Sequence, residues 1–328
     1  MPLESSMDKY RKYSQYLKEK YGARVHRIPL QAGFYCPNRD GRISSRGCIF
    51  CDIYGSGPTS FNPPPIKEQI QRGIEWAKKR YGARYFIAYF QAFTNTYNTP
   101  AVVEERLKQA LPFKEVVEIS LGTRPDCLPE PILDVLESIA KQRELWVEIG
   151  LESAHLKSLI WMRRGHTLAD FIDAVLRTKR RKGIKIGAHV IIGVPGESRR
   201  EIVETARIIS SLPIDAVKIH PLHVLRNTDL EKLYEAGKLK LLTMEQFVSL
   251  AVDFIENLRK DIILMRISGE RTKELFVAPE WALKKQEVLQ KIEEEFERRG
   301  THQGSKLKLG LSGDECVPYK EPIKLEKN

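Results

Sequence analysis

The 328-residue chain has no run of eighteen apolar residues, which excludes an ordinary membrane-spanning helix. Its N-terminal stretch, MPLESSMDKYRKYSQ, lacks the apolar core of a secretory signal, so a soluble cytoplasmic protein with no membrane partner is the expectation. Cysteine is scarce. Five residues, odd in number and mostly clustered, do not make the disulfide framework of a small secreted domain; reduced thiols that hold metal fit better. No repeat of fixed period and no long low-complexity tract is present, which argues against a solenoid. At 42% hydrophobic, the chain can bury one large core or two smaller ones.

Basic residues outnumber acidic ones by 54 to 43, a net charge of +11. That permits an anionic partner such as RNA without demanding one. The densest basic run, Arg177-Thr-Lys-Arg-Arg-Lys-Gly183, closes an expected helix. Cations favour that end of the helix dipole, and a solvated helix terminus is the plainer reading. Abundant Lys, Arg and Glu also accompany heat adaptation.

Short β-branched runs alternate with longer amphipathic ones. Strands are expected at Val25–Leu30, Arg84–Phe90, Val116–Gly122, Leu145–Leu151, Lys185–Ile192 and Ala216–Leu222, most of them nearly continuous in apolar residues, as strands covered on both faces should be. Helices are expected at Ile66–Tyr81 with Gly82 behind it, Glu130–Gln142 opened by prolines, Leu168–Lys182 capped by Thr167, and Arg199–Ser211 capped by Ser198. Six βα units in a row mean an α/β fold with a parallel sheet, open or curled into a barrel. After Leu222 the rhythm changes to helices at Thr243–Leu258 and Glu280–Arg299 around a strand at Ile262–Ile267. The expected organisation is a core over residues 1–227 including an N-terminal helix, a largely helical extension over 228–300, and a loosely ordered basic tail over 301–328.

Three cysteines stand together in Cys36-Pro-Asn-Arg-Asp-Gly-Arg-Ile-Ser-Ser-Arg-Gly-Cys48-Ile-Phe-Cys51. They follow the first strand, in an unusually long loop over Gly33–Gly57 rich in turn formers. In parallel α/β folds, loops at the carboxyl ends of strands build the ligand site. A structural zinc normally takes four ligands, as does a 4Fe–4S cluster, so three thiolates leave one coordination position open. A zinc ribbon remains an alternative, but Cys127 and Cys316 are isolated and supply no second Cys-x2-Cys.

The pattern resembles the radical S-adenosylmethionine (SAM) superfamily, whose usual spacing is Cys-x3-Cys-x2-Cys. Here eleven residues separate Cys36 from Cys48. The longer gap costs only about 1 kcal/mol in loop-closure entropy. Phe50 matches the aromatic position of the motif, and GFYCPNRDG, YFQAFTNTY and GLESAH are similar to the YhcC-like branch. The radical SAM domain of the Elongator catalytic subunit and oxygen-independent coproporphyrinogen oxidase are further relatives by resemblance. The resemblance implies a partial TIM-type (β/α)6 parallel barrel with a C-terminal α/β extension, in which Cys36, Cys48 and Cys51 ligate a 4Fe–4S cluster and SAM occupies the open iron.

It also implies cofactor contacts in strand order. Gln91, Thr94 and Asn95 follow the second strand, where relatives carry a glycine-rich turn at the SAM amino group. Thr123 and Arg124 lie in Leu121-Gly-Thr-Arg-Pro-Asp126, similar to the Elongator segment. Glu152 takes the position that holds the ribose hydroxyls, and Arg164 the position that pairs with the SAM carboxylate. His189 stands near the ribose, Ile191 beside the adenine, and Leu222 at the adenine backbone contact. Each has a plainer reading: polar loop for Gln91 to Asn95, surface turn for Arg124, helix cap for Glu152, surface cation for Arg164, core histidine for His189. The ordered series favours the cofactor reading.

The implied chemistry is reductive cleavage of SAM to a 5′-deoxyadenosyl radical, with ferredoxin or flavodoxin as the kind of reductant and RNA as one candidate substrate. A small metabolite or protein substrate, and a noncatalytic zinc or iron–sulfur module, are the alternatives.

Overall fold

The computed structural model describes residues 8–58, 62–269 and 271–308. Helix α1 (Tyr13–Tyr21) leads into strand β1 (Val25–Leu30), and helix α2 (Ile66–Tyr81) follows the long cysteine loop. Then come β2 (Tyr85–Phe90), α3 (Pro100–Lys108), β3 (Val116–Thr123), α4 (Glu130–Ala140), β4 (Glu144–Glu152), α5 (Leu156–Trp161) and α6 (Leu168–Lys179). The core continues through β5 (Ile184–Ile192), α7 (Arg199–Ser211), β6 (Ala216–Pro221), β7 (Val224–Leu225) and α8 (Asp229–Glu235). The last elements are α9 (Met244–Glu256), β8 (Ile263–Ile267), β9 (Phe276–Ala278) and α10 (Lys285–Arg299).

Local punctuation acts as read. Thr167 and Ser198 each close a capping box, and Gly82 ends α2 in the left-handed conformation. The helix expected over 280–299 is interrupted at Lys284, so Glu280–Leu283 forms a short 3-10 turn before α10.

Seven strands pair in parallel in the order β1-β2-β3-β4-β5-β6-β8, a curled half-barrel with helices outside. The strand expected in the C-terminal extension is therefore part of the sheet: β8 pairs with β6, Ala216 opposite Ile263 and Val217 opposite Leu264. Its apolar run buries like the others, and the open edge of β6 supplies the backbone partners it needs. β7 and β9 form a separate antiparallel pair.

Period-two alternation sorts the strands into two faces. Ile119, Leu121, Val147, Ile149, Ile186 and Val190 belong to the main core. Tyr89, Glu118, Ser120, Glu148, His189 and Lys218 occupy the alternate positions on the concave side. Helix α1 closes the end of the half-barrel where the strands begin: Tyr13 and Leu17 pack with Ile87, Trp146, Ala216 and Ile263. Tyr13 Oη donates to Glu118 Oε2 at 2.7 Å, which answers a buried carboxylate.

The expected loose tail begins with an ordered stretch. Gln303 is buried, donates to Arg259 O (2.6 Å) and Ile262 O (2.8 Å), and accepts from Arg11 N at 2.9 Å. Residues 309–328, with Cys316, lie outside the described residues. No described helix is long and apolar enough to cross a membrane.

Arg299 ties α10 to α9. Its guanidinium reaches Asp253 at 2.7 Å and Glu256 at 3.1 Å, with Glu295 at 2.7 Å on its own helix. Removing one partner of a buried ion pair typically costs about 3–5 kcal/mol. Arg299→Ala should lower the unfolding free energy, read from urea denaturation, by about 3–5 kcal/mol. A loss under about 1 kcal/mol would mean that Lys306 and Thr301 suffice for Glu256.

Candidate functional site

The cysteine loop is an ordered structure built by its own polar residues. Pro37 O accepts from Ile43 N at 2.8 Å, and Cys36 O accepts from Arg39 N at 2.9 Å. Arg39 then crosses the insert and donates to Cys51 O (2.6 Å) and Asp52 O (2.7 Å), which joins the first cysteine's turn to the third. Gly47 has φ +73°, and a Cβ there would stand 3.0 Å from Arg39 Nε, so glycine lets that side chain pass. Asn38, buried, donates to Cys48 Sγ at 3.3 Å and to Arg163 O at 2.7 Å.

A second clamp comes from the far end of the chain. Asp52 is fully buried and accepts from Tyr54 N (2.9 Å), Ser56 N (3.2 Å) and Arg271 Nε (2.8 Å). Arg271 also donates to Gly57 O at 2.5 Å. The segment between β8 and β9 thus holds the cysteine loop shut from above.

Cys36, Cys48 and Cys51 line one cavity of about 200 Å³ at the carboxyl ends of the strands. Phe50, Gln91, Thr94, Thr123, Glu152, Arg164, His189, Ile191 and Leu222 line the same cavity. Asn95 does not. It is fully buried, and its Nδ2 donates to Phe90 O (2.9 Å) and Gly122 O (3.0 Å), tying the ends of β2 and β3 together. The structure places Asn95, expected beside the cofactor, outside the cavity lining, with its amide nitrogen on two strand-end carbonyls.

Arg164 is the most connected of the group. It donates to Cys48 Sγ (3.3 Å), Gly150 O (3.0 Å) and His166 Nε2 (3.2 Å), and stands 3.5 Å from Glu152 Oε1. Burial opposes its charge, yet Cys48 and Glu152 outweigh that and raise its pKa above the ordinary arginine value. Burial, with Arg164 and Arg124 nearby, pushes His166 down to about 2. His166 is therefore neutral and able to accept the Arg164 hydrogen bond. Glu152 sits at φ +67°, where the β4–β5 register shifts, a strained conformation of the kind kept where a side chain must be aimed.

Around these lie residues with other partners. Gln91 Nε2 donates to Ser56 O at 2.7 Å, and Thr123 Oγ1 bonds Thr96 Oγ1 at 2.5 Å. Leu222 N donates to Ile192 O at 2.9 Å, so only its carbonyl remains for a backbone contact. Ile191 and Leu222 are buried in one apolar cluster, with Phe50 packed against it. His189 Nε2 bonds Glu148 Oε2 at 2.7 Å.

The floor carries residues that the sequence reading missed, Tyr89, Lys218, His220 and Arg266, and Arg271 lines the opposite side. Glu148, fully buried, is hydrogen-bonded by Lys218 and by Ser120 (2.7 Å), with Arg27 at 3.8 Å. Burial alone would raise the Glu148 pKa, but Lys218, His189 and Arg27 together drive it well below the usual carboxylate range. Burial pushes His220 down, and Arg266 and His189 add to it. Lys218 and His220 are two apart on one strand, so period-two alternation was the signal that places both on the concave face.

The donor set suits a cysteine-held cluster and a ligand that bears a carboxylate. Cys48 Sγ accepts two hydrogen bonds, from Asn38 and Arg164. Arg124, whose Nε and Nη2 are held by Asp126 (2.9 and 3.0 Å), has a buried Nη1 with no hydrogen-bond partner among the described residues, yet it lines the cavity. A buried unpaired guanidinium hydrogen calls for a ligand oxygen. Among the described residues no three ligand side chains converge on one ion-sized point. A cluster, in which each thiolate takes a separate iron, does not require that.

A parallel half-barrel with three cysteines and two buried arginines at its C-terminal mouth defines an α/β-barrel protein with a cysteine-lined, cation-bearing site. Comparison with known proteins narrows this. The Radical SAM superfamily model matches residues 39–209, and the Radical_SAM C-terminal domain model matches residues 214–298. The Bacillus subtilis (strain 168) protein YtqA is 36% identical over 92% of this chain and 94% of its own length. Escherichia coli (strain K12) YhcC is 34% identical over 81% of this chain and 85% of its own. Among solved structures, archaeal Methanocaldococcus infernus Elp3 superposes with a TM-score of 0.62 at 18% identity, covering 85% of this chain and 64% of that one. This chain belongs to the radical SAM superfamily.

Arg271→Gln tests the clamp. If Arg271 holds the cysteine loop through Asp52, a reconstituted variant should lose iron to a chelator about tenfold faster or more, with the fold retained by circular dichroism. Unchanged loss would show that Arg39 and Asn38 hold the loop without it.

Proposed function

We propose that the protein is a radical SAM enzyme whose 4Fe–4S cluster is held by Cys36, Cys48 and Cys51, with SAM as the ligand of the remaining iron. The observation that carries this reading is the meeting of the three cysteines with Arg164, bonded to Cys48, in one cavity at the carboxyl ends of the strands. When bound, cluster and SAM supply one-electron cleavage of the sulfonium and a 5′-deoxyadenosyl radical that abstracts hydrogen from substrate.

The chain's own groups position and shield. Arg164 is the cation that meets the SAM carboxylate, already oriented by Gly150 O and His166. Glu152, aimed by its strained backbone, accepts from the ribose hydroxyls. Gln91, Thr94 and Thr123 form the polar rim towards the amino group, with Arg124 Nη1 as an added donor. Phe50, Ile191 and Leu222 give the adenine an apolar wall, and His189 stands by the ribose, held by Glu148. The cluster thiolates are ligands, not nucleophiles. A ferredoxin or flavodoxin supplies the electron. Substrate class is not selected by these contacts: they are spent on the cofactors.

Anaerobic reconstitution with SAM and dithionite should yield 5′-deoxyadenosine without added substrate. Cys48→Ala should lose most cluster iron while staying folded; iron at wild-type stoichiometry would remove the ligand assignment. Arg164→Ala should keep the cluster but weaken SAM binding by about tenfold or more, as expected for a lost charge-assisted pair. Unchanged SAM affinity would assign the carboxylate to another residue.

A further inference from the structure

The half-barrel does not close. β1 and β8 are its two edge strands, and a second cavity runs along the seam between them, bordered by α1. Its lining is strongly one-signed. Among the described residues its charged lining is Lys12, Lys18, Arg24, Arg27, Arg266 and Lys285, with one carboxylate, Glu293, which Lys12 engages at 2.7 Å. Tyr89, Gln91 and Arg266 line both this cavity and the cysteine cavity, so the two share a threshold.

At the outer end of the seam stands an aromatic cluster, of which Tyr81 also packs against the main core. Trp76 of α2 lines the seam and is 55% exposed. His26 lies 5.6 Å from its ring, Tyr81 lies 5.2 Å from it edge-on, and His26 stacks on Tyr81 at 4.9 Å. Arg24 and Arg80 sit over the Tyr81 ring at 4.9 and 5.4 Å. Cations track phosphates, and exposed rings backed by guanidinium groups stack bases; together they are how proteins hold single strands. A small anionic metabolite would use the charge but not an exposed platform at the outer end.

We propose that the seam binds a single-stranded nucleic-acid segment, its phosphates along Lys18 and Arg24 and a base stacked on Trp76, which presents the next nucleotide to the threshold at Tyr89 and Arg266. That this strand is the substrate rests on the radical SAM reading above; that it binds here does not.

The test is fluorescence anisotropy of the cluster-loaded protein with fluorescein-labelled 12-nucleotide single strands of mixed sequence, one RNA and one DNA, at 50 and 200 mM salt. Binding of either strand is expected. Trp76→Ala should weaken it about 5- to 100-fold, with Trp76→Phe largely restoring it. The pair Lys18→Gln and Arg24→Gln should flatten the slope of log K against log salt by about 0.7 for each phosphate that the protein no longer neutralises. Neutralising Arg180 and Lys182 on the far helix end should change neither. No binding of both strands at 50 mM salt, binding indifferent to Trp76, or binding abolished by the Arg180 and Lys182 changes would each overturn the proposal. 5′-Deoxyadenosine formation in the same preparations reads the radical chemistry separately. Its absence beside Trp76-dependent binding would sink the enzyme reading and leave the seam.

Discussion

The guanidinium of Arg164 is where three parts of the chain become one site. It reaches the cysteine loop through Cys48 Sγ, strand β4 through Gly150 O, and the turn that carries it through His166. A buried cation of this kind persists only if every direction it points is answered. Here the answers are a sulfur, a carbonyl, a neutral imidazole and the Glu152 carboxylate. Because burial and two neighbouring arginines keep His166 neutral, it accepts rather than repels. Loop, strand end and strained Glu152 are thus set relative to one another before any cofactor arrives, which is the preorganisation that such a site needs.

Below that layer the interior is charged, which is unusual for a core and expected for a reaction chamber. Glu148 is surrounded by Lys218, His189, Ser120 and Arg27. Such groups are retained at a cost that apolar residues would not incur. They lie between the cysteine-lined mouth at the strand ends and the α1 plug at the strand starts. The seam cations join this set through Arg266.

Much of the architecture was legible because its signals are local. Strand β1 and helices α2 and α7 have the limits read from the sequence, since Gly82, Ser198 and Pro213 punctuate them without help from tertiary contacts. The three cysteines were legible from their spacing in the loop after the first strand, whereas Glu152 and Arg164 were placed at the same mouth by the family resemblance. What escaped depends on partners distant in sequence. Ile262–Ile267 reads as a strand, but only the free edge of β6 decides that it joins the sheet. Asn95 reads as a polar loop residue, and nothing local reveals that Phe90 O and Gly122 O claim its amide. The Arg271–Asp52 clamp joins residues more than two hundred apart, beyond the reach of any window.

The central claim is that three thiolates hold a cluster whose fourth iron binds SAM. Iron and sulfide analysis of oxygen-free protein, joined to electron paramagnetic resonance of the reduced form with and without SAM, tests it most directly. The account predicts iron and sulfide in 4Fe–4S proportion and a cluster signal that changes when SAM is added. A colourless protein with stoichiometric zinc, or a cluster signal indifferent to SAM, would contradict it.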